Sequence, residues 1–141
     1  MIQDKTKKIV LVLRKDLESW QLTNTVGHLS AFLGANIGKE KITSVSTFKT
    51  KDSEIPADSQ YPVITMAAKS SEQLFNLLKR VEENNLIHLA FTKDMIDYND
   101  DVELADALVK QDKSKLDYLG IGIFGENEII VLLTKKFSLW K

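Results

Sequence analysis

The sequence predicts an α/β protein in three layers: a mixed, mostly parallel sheet of four or five strands with helices on both faces. Two observations carry this. Ile9–Leu13 is an apolar run without a polar break, the composition of a strand covered on both sides rather than of an alternating, half-exposed one. Further apolar runs at Pro62–Ala67, Leu86–Phe91 and Tyr118–Phe124 are separated by segments with apolar residues at helical spacing, the alternation expected of layered α/β folds. A chain of 141 residues makes one domain, residues 1–141. It buries about 68–70% of its unfolded surface and needs no covalent staple.

Taken in order, residues 1–7 are polar and charged and are expected to be flexible. The strand at 8–13 ends in Arg14, Lys15 and Asp16. A helix over about 19–33 places Leu22, Val26, Leu29 and Leu33 on one stripe, with Gly34 as its expected terminator. A strand near 42–48 alternates weakly, and 49–60, with Glu54-Ile55-Pro56, reads as an exposed loop. After the strand at 62–67, Ser70 and Gln73 form a capping-box pattern that opens a helix. Leu74, Leu77, Leu78 and Val81 face inward from that helix, which ends at Asn84-Asn85. The strand at 86–91 leads into an acidic segment, 94–111, helical around 102–109. The strand at 118–124 and a helix over 126–136 complete the chain, with an apolar Phe137-Ser138-Leu139-Trp140 tail.

Composition excludes several chemistries. There are no cysteines, which removes disulfides, thiolate metal sites and thiol nucleophiles together. The two histidines, His28 and His88, lie in different elements, so no zinc cluster can be assembled; no metal and no cofactor is expected. The acidic run at Asp94, Asp97, Asp100, Asp101 and Glu103 lacks the glycine and spacing of a calcium loop. Gly120–Gly125 spells G-x-G-x-x-G, but only sixteen residues follow, too few for the acidic residue and second strand of a dinucleotide site. The glycines read instead as places where a helix or another backbone packs closely. No run approaches the ~20 apolar residues of a membrane span, and the chain is expected to be cytoplasmic. Net charge is −1 but uneven: residues 1–51 carry nine Lys/Arg against four Asp/Glu, and residues 52–141 ten against sixteen. That imbalance reads either as ordinary solvated surface or as a basic face around the first strand and helix that attracts an anion or an acidic partner.

Polar residues are densest just after the first strand, where open α/β sheets place ligands. The candidate ligand-binding residues are Arg14, Asp16, Trp20, Gln21, Thr23, Asn24 and His28. His28, at the edge of the apolar stripe, is a general base or ligand donor lining a pocket, or a boundary histidine bonded locally. Asp16 either orients that histidine or caps the first helix and pairs with Arg14 or Lys15. Trp20 can close a pocket or anchor an interface, or take a core or semi-buried lid position. Gln21 and Asn24 share a helix face, and their amides suit the reading of a neutral polar ligand. His88, between Ile87 and Leu89, is expected to be structural.

Arg14-x-Asp16-Leu17 after the first strand, the strand and Ser-capped helix of 62–86, and Tyr118-Leu119-Gly120-Ile121-Gly122 together resemble the type-2 (archaeal and eukaryotic) peptidyl-tRNA hydrolase fold. Trp20-Gln21-x-x-Asn24 is similar to an uncharacterised prokaryotic family that shares it. The hydrolases carry a lysine early in the first helix, where this chain has Gln21 and Thr23. They also carry an Asp-Ala-Gly turn and a threonine after the third strand, where this chain reads Phe91-Thr92-Lys93-Asp94-Met95-Ile96. Glutamine cannot supply a fixed positive charge to a phosphate or a developing oxyanion.

The resemblance thus implies the scaffold without the activity. The expected function is that of a small cytosolic binding or regulatory protein taking a small polar or anionic ligand. The alternative is a hydrolase acting on peptidyl-tRNA or a related ester or amide, with His28 and Asp16 as its catalytic candidates. RNA binding through the positive N-terminal part is a third reading, and the apolar tail suggests a homodimer or a cover for the sheet.

Overall fold

The computed structural model describes residues 2–141; Met1, part of the segment expected to be flexible, lies outside them. Five strands form the main sheet: β1 (Lys7–Arg14), β4 (Val63–Ala68), β5 (Ile87–Thr92), β6 (Tyr118–Glu126) and β7 (Ser138–Leu139), in the spatial order β5-β6-β1-β4-β7. The first helix, α1 (Ser19–Ile37), covers one face; α3 (Ser71–Glu83) and α6 (Asn127–Thr134) cover the other.

Alternation along β1 explains the layering. Ile9, Leu11 and Leu13 pack with Leu29, Leu33 and Ile37 of α1, whereas Val10 and Val12 pack with Leu74, Leu77, Leu78 and Val81 of α3. Both faces of the strand are covered, so both sets of side chains must be apolar.

The sheet is not mostly parallel, contrary to expectation. Only β1 and β4 pair in parallel; β1–β6, β5–β6 and β4–β7 are antiparallel. The strand–helix alternation does run β1, β4 and β5 in one direction, but β6 enters between β1 and β5 in the opposite sense. Burial accounts for the insertion. Tyr118–Ile123 of β6 is buried throughout and suits only an interior position, whereas Ile87–Ala90 of β5 is half-buried and takes the edge. Glycines then let α1 approach β6: a Cβ on Gly120 would lie 3.0 Å from Leu13 Cδ2 and Thr25 Cγ2, and one on Gly122 3.0 Å from Leu33 Cδ1. The G-x-G-x-x-G string is a helix-packing surface.

Other boundaries move by identifiable causes. Gly34 does not end α1; Ile37 continues the stripe one turn beyond Leu33 and is buried, and Gly38, at φ +99°, forms the cap. The expected strand at 42–48 is shorter: after the turn of helix α2 (Lys39–Ile42), β2 (Thr47–Lys49) pairs with β3 (Glu54–Pro56) as a hairpin, so the 49–60 region is not all loop but carries a second strand. That hairpin exposes Phe48 and Ile55. At α3, Ser70 Oγ accepts the Gln73 N–H (3.1 Å), and Gln73 Oε1 accepts the Lys69 N–H (2.8 Å). The helix terminates where Asn85 takes φ +53°, a conformation asparagine tolerates better than most residues. The acidic segment holds α4 (Lys93–Asp97) and α5 (Asp101–Leu108), the latter capped by Asp100, which accepts the N–H groups of Val102 and Glu103. In the first residues, Gln3 donates to the Gln60 carbonyl, and the Lys5 carbonyl accepts from Asn127. In the tail, Phe137 is buried against α3 and Trp140 is partly buried on the α1 side, while Leu139 is exposed.

Candidate functional site

The carboxyl ends of β1, β4 and β5 share one edge of the sheet with the start of β6, so Arg14, Ala68, Thr92 and Tyr118 lie along a common rim. Arg14 is committed there. Its Nε and Nη2 bind the two carboxylate oxygens of Asp16 at 2.9 and 3.0 Å, and its Nη1 donates to the Asp117 carboxylate and to the Tyr118 carbonyl. The bidentate bond to Arg14 lowers the pKa of Asp16 from its ordinary value; the same bond, against the cost of partial burial, raises that of Arg14. Asp16 therefore neither caps α1, whose N-cap is Glu18, nor hydrogen-bonds His28. The cluster pins the β1–α1 corner to the start of β6.

The first turns of α1 divide the remaining candidates. Gln21 turns back, its Oε1 accepting the Glu18 N–H (3.1 Å). The Thr23 hydroxyl donates to the carbonyls of Ser19 and Trp20 within its own helix. The Gln21 side-chain carbonyl and the Thr23 hydroxyl proton are thereby used within the helix, and neither residue lines the hollow that Asn24 borders. Trp20, Asn24 and His28 recur every four residues and line one wall of a hollow of about 580 Å³. Trp20 Nε1 donates to Glu18 Oε2 (2.9 Å), which holds the indole while leaving it 56% exposed.

The opposite wall comes from β5 and the acidic segment. Leu89 and Phe91 of β5 form the floor. Met95 and Ile96 of α4, Tyr98 after it, and Leu104 of α5 form the far side, with Asn99 and Asp101 at the mouth. The His28 ring stacks on Phe91 with centroids 4.7 Å apart and planes 18° from parallel. Among the described residues, neither the His28 imidazole nor the Asn24 amide has a side-chain hydrogen bond to the protein, so both present free donors and acceptors at a cavity of mixed polar and aromatic lining. His88 behaves otherwise: its Nδ1 lies 2.8 Å from the Leu86 carbonyl on the half-buried edge strand.

Sequence reasoning misses the far wall. Its signal is present in Met95, Ile96, Tyr98 and Leu104, four large apolar or aromatic side chains in a stretch whose charge otherwise reads as solvated. Among the described residues no lysine, arginine or serine lines the hollow, and no carboxylate bonds His28. No set of three or more His, Asp or Glu among the described residues is placed to hold a metal ion. No helix among them is long and apolar enough to cross a membrane.

Comparison with known proteins agrees with this picture at the level of fold. The structure of a protein of unknown function, Atu0240, from Agrobacterium tumefaciens strain C58, is similar over 100% of both chains, with a TM-score of 0.82 and 20% sequence identity. No functionally curated protein matches. A family model described as "Protein of unknown function (DUF2000)" matches residues 7–141, from the first residue of β1 to the end of the tail, and the chain belongs to that family.

Proposed function

We propose that this chain is a small cytoplasmic binding or regulatory protein on a peptidyl-tRNA hydrolase-like scaffold. Its hollow between α1, β5 and the α4–α5 segment takes a neutral ligand with an aromatic or apolar body and a polar end. The single observation that carries the reading is the pairing of free polar groups on Asn24 and His28 with walls of Trp20, Phe91, Met95 and Tyr98. Ligand sites are usually about 300–1,000 Å³ with a few convergent polar groups, and at about 580 Å³ the hollow falls in that range. Asp101 at the mouth and the lack of lining cations favour a neutral ligand over the anionic one also considered from sequence.

The scaffold reading rests on the sequence resemblance at Arg14-x-Asp16-Leu17, the Ser-capped helix after β4 and Tyr118–Gly122, and the binding reading on what the hydrolase-like corner lacks. A fixed positive charge is missing at Gln21 and Thr23, and Asp16 is engaged by Arg14 rather than His28. A homodimer, as the tail suggested, would draw on Leu139 and on Val131 and Leu132 of α6, all more than half exposed.

The test is a titration of the neutral fluorophore N-phenyl-1-naphthylamine against the whole chain. Binding should enhance its emission, and the enhancement should weaken in Trp20→Ala and His28→Ala, both of which replace exposed side chains. Enhancement unchanged by both substitutions would remove the hollow as the site. Turnover of peptidyl-tRNA that disappears in His28→Ala would overturn the binding reading in favour of the hydrolase.

A further inference from the structure

A second concavity lies on the other side of the sheet. The chain leaves β1 to form α1 on one face and leaves β4 to form α3 on the opposite face. The carboxyl ends of these two adjacent parallel strands are therefore a point where the chain diverges to both sides, the place where open α/β sheets form ligand crevices. A hollow of about 260 Å³ sits there, bounded by Ala67 and Ala68 at the end of β4 and by the side chains of Lys15, Lys69, Gln73 and Lys136. The Lys15 N–H donates to the Ala68 carbonyl (3.0 Å), fixing the base of that lysine beside the β4 terminus.

Gln73 and Lys136 also line a larger hollow of about 580 Å³ that continues along α3, to which Lys79 and Arg80 contribute. Five cations thus border the two adjoining hollows, against one lining carboxylate, Glu83. Among the described residues none of the five forms an ion pair, whereas Arg14, Lys93 and Lys113 are all paired with carboxylates. Lys79 alone has another compensating contact, with its ammonium 5.1 Å from the centre of the Phe75 ring. Like charges that converge without counter-charges repel one another, and an anion seated among them relieves that repulsion. Four of the five come from the half of the chain with the acidic balance, so the patch is invisible to a count of charge along the sequence.

We infer that these joined hollows bind a compact ligand carrying several negative charges, of the oligophosphate class. The shape favours a small polyanion over a nucleic acid: the cations converge on two adjoining hollows, and the one aromatic side chain lining them, Phe137, is buried and offers no stacking platform. This inference does not depend on the ligand of the α1–β5 hollow, which lies on the opposite face.

Calorimetric titration of the full chain with sodium tripolyphosphate is the test. The double substitution Lys69→Ala/Lys136→Ala removes two exposed cations without touching the core, and Lys41→Ala on α2 serves as a control outside the hollows. The affinity should fall about tenfold or more in the double variant, remain within about twofold in the control, and decline with salt more gently in the double variant than in the unmodified protein. No binding of tripolyphosphate by the unmodified chain, or equal binding by the double variant, would overturn the inference. A single-stranded RNA oligonucleotide that binds where tripolyphosphate does not would overturn it too and reassign the patch to a nucleic-acid backbone.

Discussion

Thr92, at the carboxyl end of β5, is 1% exposed, and its hydroxyl has no hydrogen-bond partner. A buried hydroxyl left unpaired costs about 1–3 kcal/mol, and an apolar group of the same shape avoids that cost. Thr92→Val is therefore expected to leave stability unchanged or to raise it by up to about 1–3 kcal/mol, read as an unchanged or higher urea midpoint. Tyr118 is its opposite. It is equally buried, but its hydroxyl donates to the Lys113 carbonyl (2.6 Å), and burial raises its pKa above the ordinary value. A group whose folded pKa is raised contributes stability fully present below its unfolded pKa, about 10 for tyrosine, and loses it as pH rises through the folded value. Unfolding midpoints should thus fall above about pH 10, and Tyr118→Phe should flatten that alkaline decline while losing about 1 kcal/mol at neutral pH.

At the scale of elements, α1 and β6 test the packing most sharply through their glycines. Gly34 lies inside α1, and a Cβ added to it would meet nothing within 4 Å, so Gly34→Ala should stabilise the protein by about 0.5–1 kcal/mol through helix propensity. A Cβ on Gly122 would lie 3.0 Å from Leu33 Cδ1, 3.2 Å from Leu29 Cβ and 3.3 Å from Leu11 Cδ2, so Gly122→Ala should destabilise it by about 1–3 kcal/mol through overpacking. Chemical denaturation of the two variants should give shifts of opposite sign.

The same two elements mark what could be read from sequence. Continuous apolar runs located β1, β4, β5 and β6, and helical spacing located α1 and α3, because burial is written into residue type. Strand order is a property of pairing between distant segments, and nothing local in Tyr118–Glu126 states that it enters beside β1 in reverse. The candidate site was half legible for the same reason. Trp20, Asn24 and His28 follow from helical periodicity, whereas the wall from Leu89 to Leu104 requires the fold to bring it opposite.

For the whole molecule, the hollows divide their linings by face: one of mixed aromatic and polar side chains between α1 and the α4–α5 segment, and the joined cationic pair beside α3. We propose the former as the ligand-recognition site. The most direct measurement is a series of two-dimensional amide spectra of the labelled chain during titration with benzamide, a neutral phenyl ring bearing a carboxamide. Ligand recognition there predicts shifts concentrated at Trp20–His28, Leu89–Phe91 and Met95–Leu104, and their loss in the Asn24→Ala/His28→Ala double variant. Shifts centred on other elements, or a response the double variant leaves intact, would contradict it.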